Sequence, residues 1–319
     1  MNRDMNTTGP TPLRAGTRGS PLALVQTRTF LRLLAGIPGA PPGVEVIISV
    51  TGDAVLDRPL AEIGGKGLFA KEIHEALLDG RVDVAVHSCK DLETELPPGI
   101  VLACVLKRED PRDALILGPD CKFPHPSDPY SALPNGALIG TSSVRRQAQL
   151  LYARPDLKVA SIRGNVQTRL RKLSEGECQA SLLALAGLNR LEMEVPGTVA
   201  LDPELMVPSS AQGIVGITAR ADDTEVLELL AKIEDAPARV AAEAERALLG
   251  ELDGSCRTPI GGHLRIQADG SVVVTGLVAR ADGSFLLKRS LSGAPEDAAL
   301  IGRELGLSLR ADSPGDLFG

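Results

Sequence analysis

The residues best suited to chemistry lie at the end of one apolar segment, Val82–Asp91. Three alternate valines in it are typical of a buried strand, and His87, Ser88, Lys90 and Asp91 follow at once. In open α/β sheets, ligands bind outside the carboxyl ends of the strands. A carboxylate beside a lysine at such a position could act on a bound substrate. For an isolated Lys-Asp pair, a solvated turn would be the better interpretation.

The composition excludes several classes of protein. The 319 residues suffice for two or three domains, and a hydrophobic content of 43% suits buried cores but not a membrane protein. Aromatic residues make up only 2%, Trp is absent and the net charge is −7. This combination argues against binding nucleic acid by base stacking or through a basic surface. An anion site would therefore need a local cluster of arginine and lysine.

Neither a targeting signal nor a membrane span is predicted. Residues 1–19 lack the apolar region of a secretory signal, and the longest apolar runs, around 44–50 and 182–188, are too short for a bilayer. The odd number of cysteines and the lack of Cys-x-x-Cys spacing favour a reducing cytoplasm, without structural disulfides and without a zinc or other metal site. The cysteines are Cys89, Cys104, Cys121, Cys178 and Cys256.

Strand and helix patterns alternate through the first two thirds of the chain, with a break at Arg108–Asp113. The alternation favours two α/β domains built on mostly parallel sheets. In chain order, the predicted elements are helix 21–34, strand 44–50, helix 67–78, strands 82–87 and 100–106, strand 137–140, helix 144–152, strand 158–162, helix 166–173 and strand 180–184.

The chain changes character after about Asp235, where a helix rich in Ala, Glu and Arg begins. Residues 281–284 then predict a hairpin turn between two strands. This pattern indicates a small α+β domain. Its predicted elements are helix 238–249, the loop 253–259, strands 271–280 and 285–290, and helix 295–307.

Three segments combine a predicted helix start with arginine. The unpaired N–H groups and the dipole of a helix N-terminus attract anions, and each guanidinium adds a forked pair of donors. One such segment is usually only a capped helix with a surface arginine. Three of them predict a ligand rich in carboxylate or phosphate groups. The segments are Arg18–Pro21, Thr141–Arg146 and Ser161–Asn165, the last followed by Arg169.

Two further segments are ambiguous from chemistry alone. The glycine-rich run Gly64–Ala70 has the spacing of a dinucleotide fingerprint but no preceding strand, and Lys66 is not followed by Ser or Thr as in a P-loop. A mobile lid and a plain surface turn are equally compatible with it. Cys256 lies in a loop beside Arg257, which would favour its thiolate, although a single loop cysteine is more often incidental than catalytic.

Taken together, these segments resemble the porphobilinogen deaminase family, also called hydroxymethylbilane synthases. The resemblance covers nearly the whole chain in order, and several of its motifs are long enough to be specific individually. The motifs are Arg18-x-Ser-Pro-Leu-Ala-Leu24, Gly52-Asp53, Gly64-Gly-Lys-Gly-Leu-Phe69, His87-Ser-x-Lys-Asp91, Arg108-Glu-Asp-Pro-Arg-Asp113, Gly140-Thr-Ser-Ser-x-Arg-Arg-Gln147, Arg163-Gly-Asn165, Gln212-Gly213 and Gly254-x-Cys-x-x-Pro-Ile-Gly261.

The resemblance implies a fold of three domains and a monomeric protein. Two doubly wound α/β domains would be hinged like a periplasmic binding protein, and a small α+β domain at the C terminus would carry the cofactor. We expect the first domain to comprise residues 11–110 with 211–233, where the chain crosses back. The second would comprise residues 111–210 and the third residues 234–319.

The resemblance also implies a transferase of porphyrin and heme biosynthesis. The family joins four porphobilinogen units head to tail, releasing ammonia at each step, to give the linear tetrapyrrole hydroxymethylbilane. Its cofactor is a dipyrromethane, bonded by a thioether to a loop cysteine whose position Cys256 matches. Asp91 would be the catalytic residue, because a carboxylate stabilises the positive charge left on a pyrrole after ammonia departs.

Each pyrrole carries an acetate and a propionate, so the arginine segments would supply the counter-charge. His87 remains open between a structural and a catalytic role. The implied cofactor contacts are Cys256, Lys90, Asp91, Ser143, Arg145, Arg146, Arg163 and Gly164. The implied substrate contacts are Arg18, Ser20, Lys66, Phe69, Arg163 and Arg169.

Three residues depart from the family pattern: Glu62, Glu93 and Ser209. They leave open details of the lid and hinge contacts and remove no candidate catalytic group. The rival interpretation is a non-catalytic two-domain clamp for a carboxylate-rich small molecule. It would explain the arginines but neither Cys256 nor Asp91.

Overall fold

The computed structural model describes residues 11–54, 67, 69–119, 121, 124–125, 128–252 and 258–318. Within these ranges the chain forms two five-stranded sheets and one three-stranded sheet, with helices packed on them. The strands are β1 (Leu13–Thr17), β2 (Gly43–Ile47), β3 (Val84–Ser88), β4 (Ile100–Val105), β5 (Asp113–Leu117), β6 (Leu138–Gly140), β7 (Lys158–Ala160), β8 (Ala180–Ala184), β9 (Thr198–Ala200), β10 (Val215–Arg220), β11 (Ile260–Ile266), β12 (Val272–Ala279) and β13 (Leu286–Gly293).

Helices occupy both α/β halves and the C-terminal part. None in the described ranges is long and apolar enough to cross a bilayer. The helices are α1 (Pro21–Ala35), α2 (Thr51–Ala54), α3 (Lys71–Leu78), α4 (Val144–Ala153), α5 (Val166–Ser174), α6 (Leu185–Arg190), α7 (Thr224–Ala231), α8 (Ala236–Glu251) and α9 (Ala298–Ala311).

The two large sheets share one strand order. The first runs β2-β1-β3-β10-β4 and the second β7-β6-β8-β5-β9. In each, three strands pair in parallel, and the fourth position holds a strand antiparallel to both its neighbours: β10 in the first sheet and β5 in the second. The predicted fold class, two α/β domains plus a small α+β domain, is confirmed.

The prediction of mostly parallel sheets is confirmed, because four of the five strands in each large sheet run in one direction and a single strand, β10 or β5, runs against them. Strands β5 and β10 are almost completely buried, and both have mainly apolar sequences. Such runs are typical of central strands in either orientation, and their direction depends on where the chain crosses between the sheets. Strands β1, β5, β9, β10 and β11 have no counterpart among the predicted elements.

The C-terminal part is an antiparallel sheet, β11-β12-β13, covered by α8 and α9. The predicted hairpin is confirmed: the N–H of Arg280 donates to the carbonyl of Phe285 at 2.9 Å, and Gly283 supplies the left-handed conformation with a φ of +77°. Helix α8 begins earlier than predicted because the side chain of Asp235 caps it by accepting from the N–H of Ala238 at 2.9 Å.

One hydrophobic core joins the first sheet to the C-terminal part. Cys89 and Leu92, which flank the Lys90-Asp91 pair, are buried together with Ala241 and Leu248 of α8. Arg246 of the same helix donates to the carbonyl oxygens of Glu93 and Thr94 at 2.7 and 2.9 Å, and this fixes the segment after Asp91. The rear of the turn is thus packed, while Lys90 and Asp91 remain half-buried.

Candidate active site

The turn after β3 places Lys90 and Asp91 at the carboxyl end of the middle strand of the first sheet. Strand β3 ends at Ser88, and a single 3₁₀ turn, Cys89–Asp91, follows it. The N–H of Cys89 donates to the carbonyl of Ile214 at 2.9 Å, so the turn is tied to the segment that leads into β10. Cys89 is buried in the core, whereas the two ionisable residues after it are half-buried.

Lys90 lies among charges of both signs. Its Nζ donates to Oε1 of Gln212 at 3.3 Å. Burial lowers the pKa of Lys90 to about 8, helped by the positive charges of Arg146 and Arg145 and opposed by Asp91 and Asp113. The ammonium group therefore titrates close to neutral pH, and its charge depends on its neighbours.

Arg145 and Arg146 both pair with one buried carboxylate, Asp113, at the start of β5. Nη1 of Arg145 is 2.6 Å from Oδ2 of Asp113, and Nη2 of Arg146 is 2.8 Å from Oδ1. The two guanidinium groups hold the pKa of Asp113 well below its usual range despite burial. Arg146 also donates to the carbonyl of Leu182 at 2.9 Å. This cluster carries one net positive charge inside the protein.

The start of α5 adds two more arginines. Nε of Arg169 donates to the carbonyl of Gly164 at 2.9 Å. Gly164 has a φ of +115°, and a Cβ there would lie 2.7 Å from Cγ2 of Thr168, so only glycine fits. Burial, together with the charges of Arg146 and Arg163, lowers the pKa of Arg169 to about 10, and the charge of Asp91 acts in the opposite direction. The charge of Asp91, at the end of a strand of the first sheet, thus acts on an arginine beside the second sheet.

The three predicted helix starts are confirmed as capped N-termini. The side chain of Ser20 accepts from the N–H of Ala23 at 3.4 Å at the start of α1. The side chain of Ser143 caps α4 by accepting from the N–H of Arg146 at 3.5 Å. Asn165 caps α5 by accepting from the N–H of Thr168 at 2.9 Å. Each helix therefore presents its remaining N–H groups beside one of the arginine segments.

Arg18 and Phe69 contact each other. The guanidinium of Arg18 lies 4.1 Å from the centroid of the Phe69 ring, which is a cation–π contact. Phe69 belongs to the glycine-rich segment, so this contact joins that segment to the loop before α1.

Family models match almost the entire chain. The model described as "Porphobilinogen deaminase, dipyromethane cofactor binding domain" covers residues 13–228, and the one described as "Porphobilinogen deaminase, C-terminal domain" covers residues 240–311. The chain belongs to the porphobilinogen deaminase family.

Curated relatives of that family are similar over nearly their full length. The porphobilinogen deaminase of Nitratidesulfovibrio vulgaris is 47% identical over 309 residues, covering 95% of this chain and 94% of that protein. The Paracoccus denitrificans enzyme is 47% identical, covering 96% of each chain. The chloroplastic enzyme of Oryza sativa is 46% identical, covering 96% of this chain and 85% of that protein. The resemblance inferred from the motifs is thus confirmed.

Several of the charged side chains that the family resemblance implies act on one another electrostatically. The charges of Asp91 and Arg146 act on both Lys90 and Arg169, and the charge of Arg163 acts on Arg169. Cys256 and Lys66 lie outside the described residues. The specific roles in cofactor and substrate binding stay predictions.

Arg145 and Arg146 differ from the expectation in one respect. The resemblance implies both as counter-charge for ligand carboxylates, yet both pair with Asp113, an interaction that the motif spacing does not indicate. Nε, Nη1 and Nη2 of Arg146 all donate to protein acceptors. A ligand carboxylate would therefore share these guanidinium groups with Asp113.

His87 is buried behind the site. Its Nε2 lies 3.1 Å from Oγ1 of Thr218 on β10, and its ring centroid lies 5.4 Å from that of His74. Burial lowers the pKa of His87 to about 3, with the charges of His74 and Arg18 acting in the same direction. A neutral, hydrogen-bonded imidazole supports the structural role.

Glu93, one of the departures from the family pattern, packs against the glycine-rich segment. Gly67 has a φ of +90°, and a Cβ at that position would lie 1.7 Å from Oε1 of Glu93. No other residue type could occupy position 67 in this arrangement. Ser209, the second departure, accepts from the N–H of Gln212 through its carbonyl at 2.9 Å. Glu62 lies outside the described residues.

Proposed function

We propose that this chain condenses four porphobilinogen units head to tail into hydroxymethylbilane, releasing one ammonia per unit. The observation that carries the proposal is the hydrogen-bonded link from Lys90 through Gln212 to Asp113, which pairs with Arg145 and Arg146, in a chain that belongs to the porphobilinogen deaminase family. A non-catalytic clamp is not favoured, because its ligand would need the arginines but not a carboxylate at Asp91.

The described donors suit a dipyrromethane. Such a group carries acetate and propionate side chains, and the site offers Arg163 and Arg169, half-buried, and the capped N-termini of α4 and α5. When bound, the dipyrromethane would supply the pyrrole terminus to which the first porphobilinogen unit is joined. Lys90, Ser143, Arg145, Arg146, Arg163 and Gly164 would hold it, and Cys256 would carry the thioether.

Asp91 would act on the substrate itself. Loss of ammonia leaves an electron-poor pyrrole that is cationic when protonated, and a nearby half-buried carboxylate stabilises that charge more than water does. The carboxylate could also accept the proton that the joined pyrrole must release. Arg18, Ser20, Lys66, Phe69, Arg163 and Arg169 would hold the incoming substrate.

The chain would act as a cytoplasmic monomer that does not bind nucleic acid, and the acidic, aromatic-poor composition supports the last of these points. Sedimentation velocity on the loaded protein tests the monomer: a single species of about twice the chain mass would contradict it.

Turnover and intact mass together test the proposed function. The purified chain should consume porphobilinogen and release ammonia in equal amounts, and its denatured mass should exceed that of the bare chain by two pyrrole units. A bare chain that binds porphobilinogen without releasing ammonia would support the clamp instead.

A cysteine pair isolates the attachment point. Cys256→Ser should fold, lack the adduct and show no sustained turnover. Cys121→Ser, in the second α/β half, should retain both adduct and turnover. Two extra pyrrole units on the Cys256→Ser chain would contradict the attachment.

A further inference from the structure

The side chain of Gln212 lies between the two halves of the site. Its Oε1 accepts from Nζ of Lys90 at 3.3 Å. Its Nε2 donates to the carbonyl of Pro111 at 2.7 Å and to Oδ1 of Asp113 at 2.8 Å. A single amide thus touches the lysine of the first sheet and the carboxylate that pairs with Arg145 and Arg146 of the second.

The orientation of this amide is determined by its neighbours. A side-chain amide has two N–H donors, and both of those on Gln212 are taken by oxygen acceptors. The opposite orientation would place N–H groups against the ammonium of Lys90 and a carbonyl oxygen against the carboxylate of Asp113. Both contacts would be repulsive, so Oε1 must face Lys90.

The backbone of Gln212 is fixed as well. The preceding residue, Ala211, has a φ of +59°, and its N–H donates to the buried carboxylate of Glu245 at 2.6 Å. Nε of Arg108 donates to the carbonyl of Gln212 at 2.9 Å. At Gly213, a Cβ would lie 2.3 Å from the carbonyl oxygen of Glu109. Main chain and side chain are both held at the point where the chain returns to the first sheet.

We propose that Gln212 is a positioning residue for Lys90, whose amide fixes the place and the charge of the ammonium group by anchoring it to the Asp113–Arg145–Arg146 cluster. This inference rests on the proposed function for the role of Lys90 in holding carboxylates. It assigns Gln212 no contact with the reacting atoms.

The proposal has a consequence for pH dependence. An oxygen acceptor stabilises the ammonium form of lysine, so its removal should lower the pKa of Lys90. That pKa is about 8, because burial and the charges of Arg146 and Arg145 outweigh those of Asp91 and Asp113. Any further fall would leave part of the lysine neutral at the pH where the protein works, and a neutral lysine would hold carboxylates less well.

The experiment compares Gln212→Met with Gln149→Met in cofactor-loaded protein. Gln149 is a buried glutamine. Its Nε2 donates to the carbonyl of Val207 at 3.1 Å, and its Oε1 accepts from the N–H of Val207 at 2.7 Å. The KM for porphobilinogen is measured from pH 6 to pH 9, with adduct content checked by intact mass. For Gln212→Met, the KM should match that of the unaltered chain at pH 6 and exceed it about threefold near pH 7.5, as expected if the pKa falls by about one unit. Gln149→Met should leave the pH dependence of KM unchanged.

A second variant tests the sign of the charge effect, and circular dichroism checks its folding, because its second carboxylate oxygen lies against Pro111 and Asp113. Gln212→Glu keeps an acceptor toward Lys90 and adds negative charge, so the rise in KM should move to higher pH, opposite to the change in Gln212→Met. A KM raised by the same factor at every pH, or unchanged in both variants, would overturn the proposal.

The titration of Lys90 can also be followed without turnover. The ¹⁵Nζ signal, assigned by its loss in Lys90→Arg, should titrate at lower pH in Gln212→Met than in the unaltered chain. If the unaltered chain releases no ammonia, the proposed function fails. The Nζ titration still decides whether Gln212 controls the charge of Lys90.

Discussion

Arg108 and Glu245 form an ion pair through two hydrogen bonds, with N···O distances of 2.6 and 3.1 Å. Glu245, on α8, is fully buried, and its two oxygens also accept from the N–H groups of Ala211 and Leu264, each at 2.6 Å. One carboxylate therefore joins the two segments in which the chain passes between the α/β halves, at Arg108 and at Ala211, to the C-terminal sheet at Leu264.

We expect Glu245→Gln to destabilise the whole protein. The change leaves the Arg108 guanidinium buried without its counter-charge, which costs roughly 3–5 kcal/mol. Urea denaturation followed by circular dichroism measures the loss in the free energy of unfolding. The exposed pair Arg171–Glu175 provides the control, because Glu175→Gln should cost only about 0.5 kcal/mol. A loss below about 1 kcal/mol for Glu245→Gln would show that the pair contributes little.

Asp113→Asn should change how the free energy of unfolding depends on pH in the acid range. The folded pKa of Asp113 lies below its unfolded value of about 3.9, so its contribution is complete above that pH and is lost as the pH falls below it. The variant should be less stable at pH 6, because two buried guanidinium groups lose their counter-charge, and should lose stability less steeply below pH 4. The exposed Asp222→Asn should retain the original slope. Equal slopes for Asp113→Asn and the unaltered chain would contradict the assignment.

Asp91 should matter through its charge more than its size. In protein that already carries the cofactor, Asp91→Asn should nearly abolish kcat, because electrostatic stabilisation of this kind contributes several kcal/mol. Asp91→Glu keeps the charge one methylene away and should retain weak activity. Single-turnover release of ammonia from loaded enzyme separates this effect from a failure to assemble the cofactor. Near-native turnover in Asp91→Asn would make Asp91 a structural residue.

His87 should stay neutral across the working pH range, because burial lowers its pKa to about 3. The unfolded chain protonates this histidine near pH 6.5, so stability should fall as the pH drops from about 6.5 toward 3, by at most about 1.4 kcal/mol per pH unit from this group. His87→Gln should reduce that slope and leave the pH profile of kcat between pH 5 and 8 unchanged. A ¹⁵N signal of His87 that titrates above pH 5 would disprove the assignment.

The sequence predicts the local features of this site well. Strand β3 follows from its alternate valines, and the starts of α1, α4 and α5 follow from the segments Arg18–Pro21, Thr141–Arg146 and Ser161–Asn165, because both depend on residues close in the chain. The proposed attachment at Cys256 rests only on the family resemblance, since a loop cysteine beside an arginine has no distinctive spacing.

The long-range pairings could not be predicted in this way. Asp113 bonds to arginines 32 and 33 residues away, and Gln212 reaches Lys90 across 122 residues. From its neighbours alone, Asp113 would be assigned to the loop that contains Pro111. Only the folded sheet brings it against α4. The antiparallel direction of β5 and β10 likewise depends on the path of the chain between sheets, which residue periodicity does not encode.

The position of β10 has a consequence for how the protein is made. Strand β10 lies between β3 and β4, although both precede it by more than a hundred residues of chain. On the ribosome, the first sheet must wait with a missing central strand while the entire second sheet is synthesised. The exposed edges of β3 and β4 are then open to wrong pairing, so a chaperone that covers strand edges would act on the nascent chain in that interval.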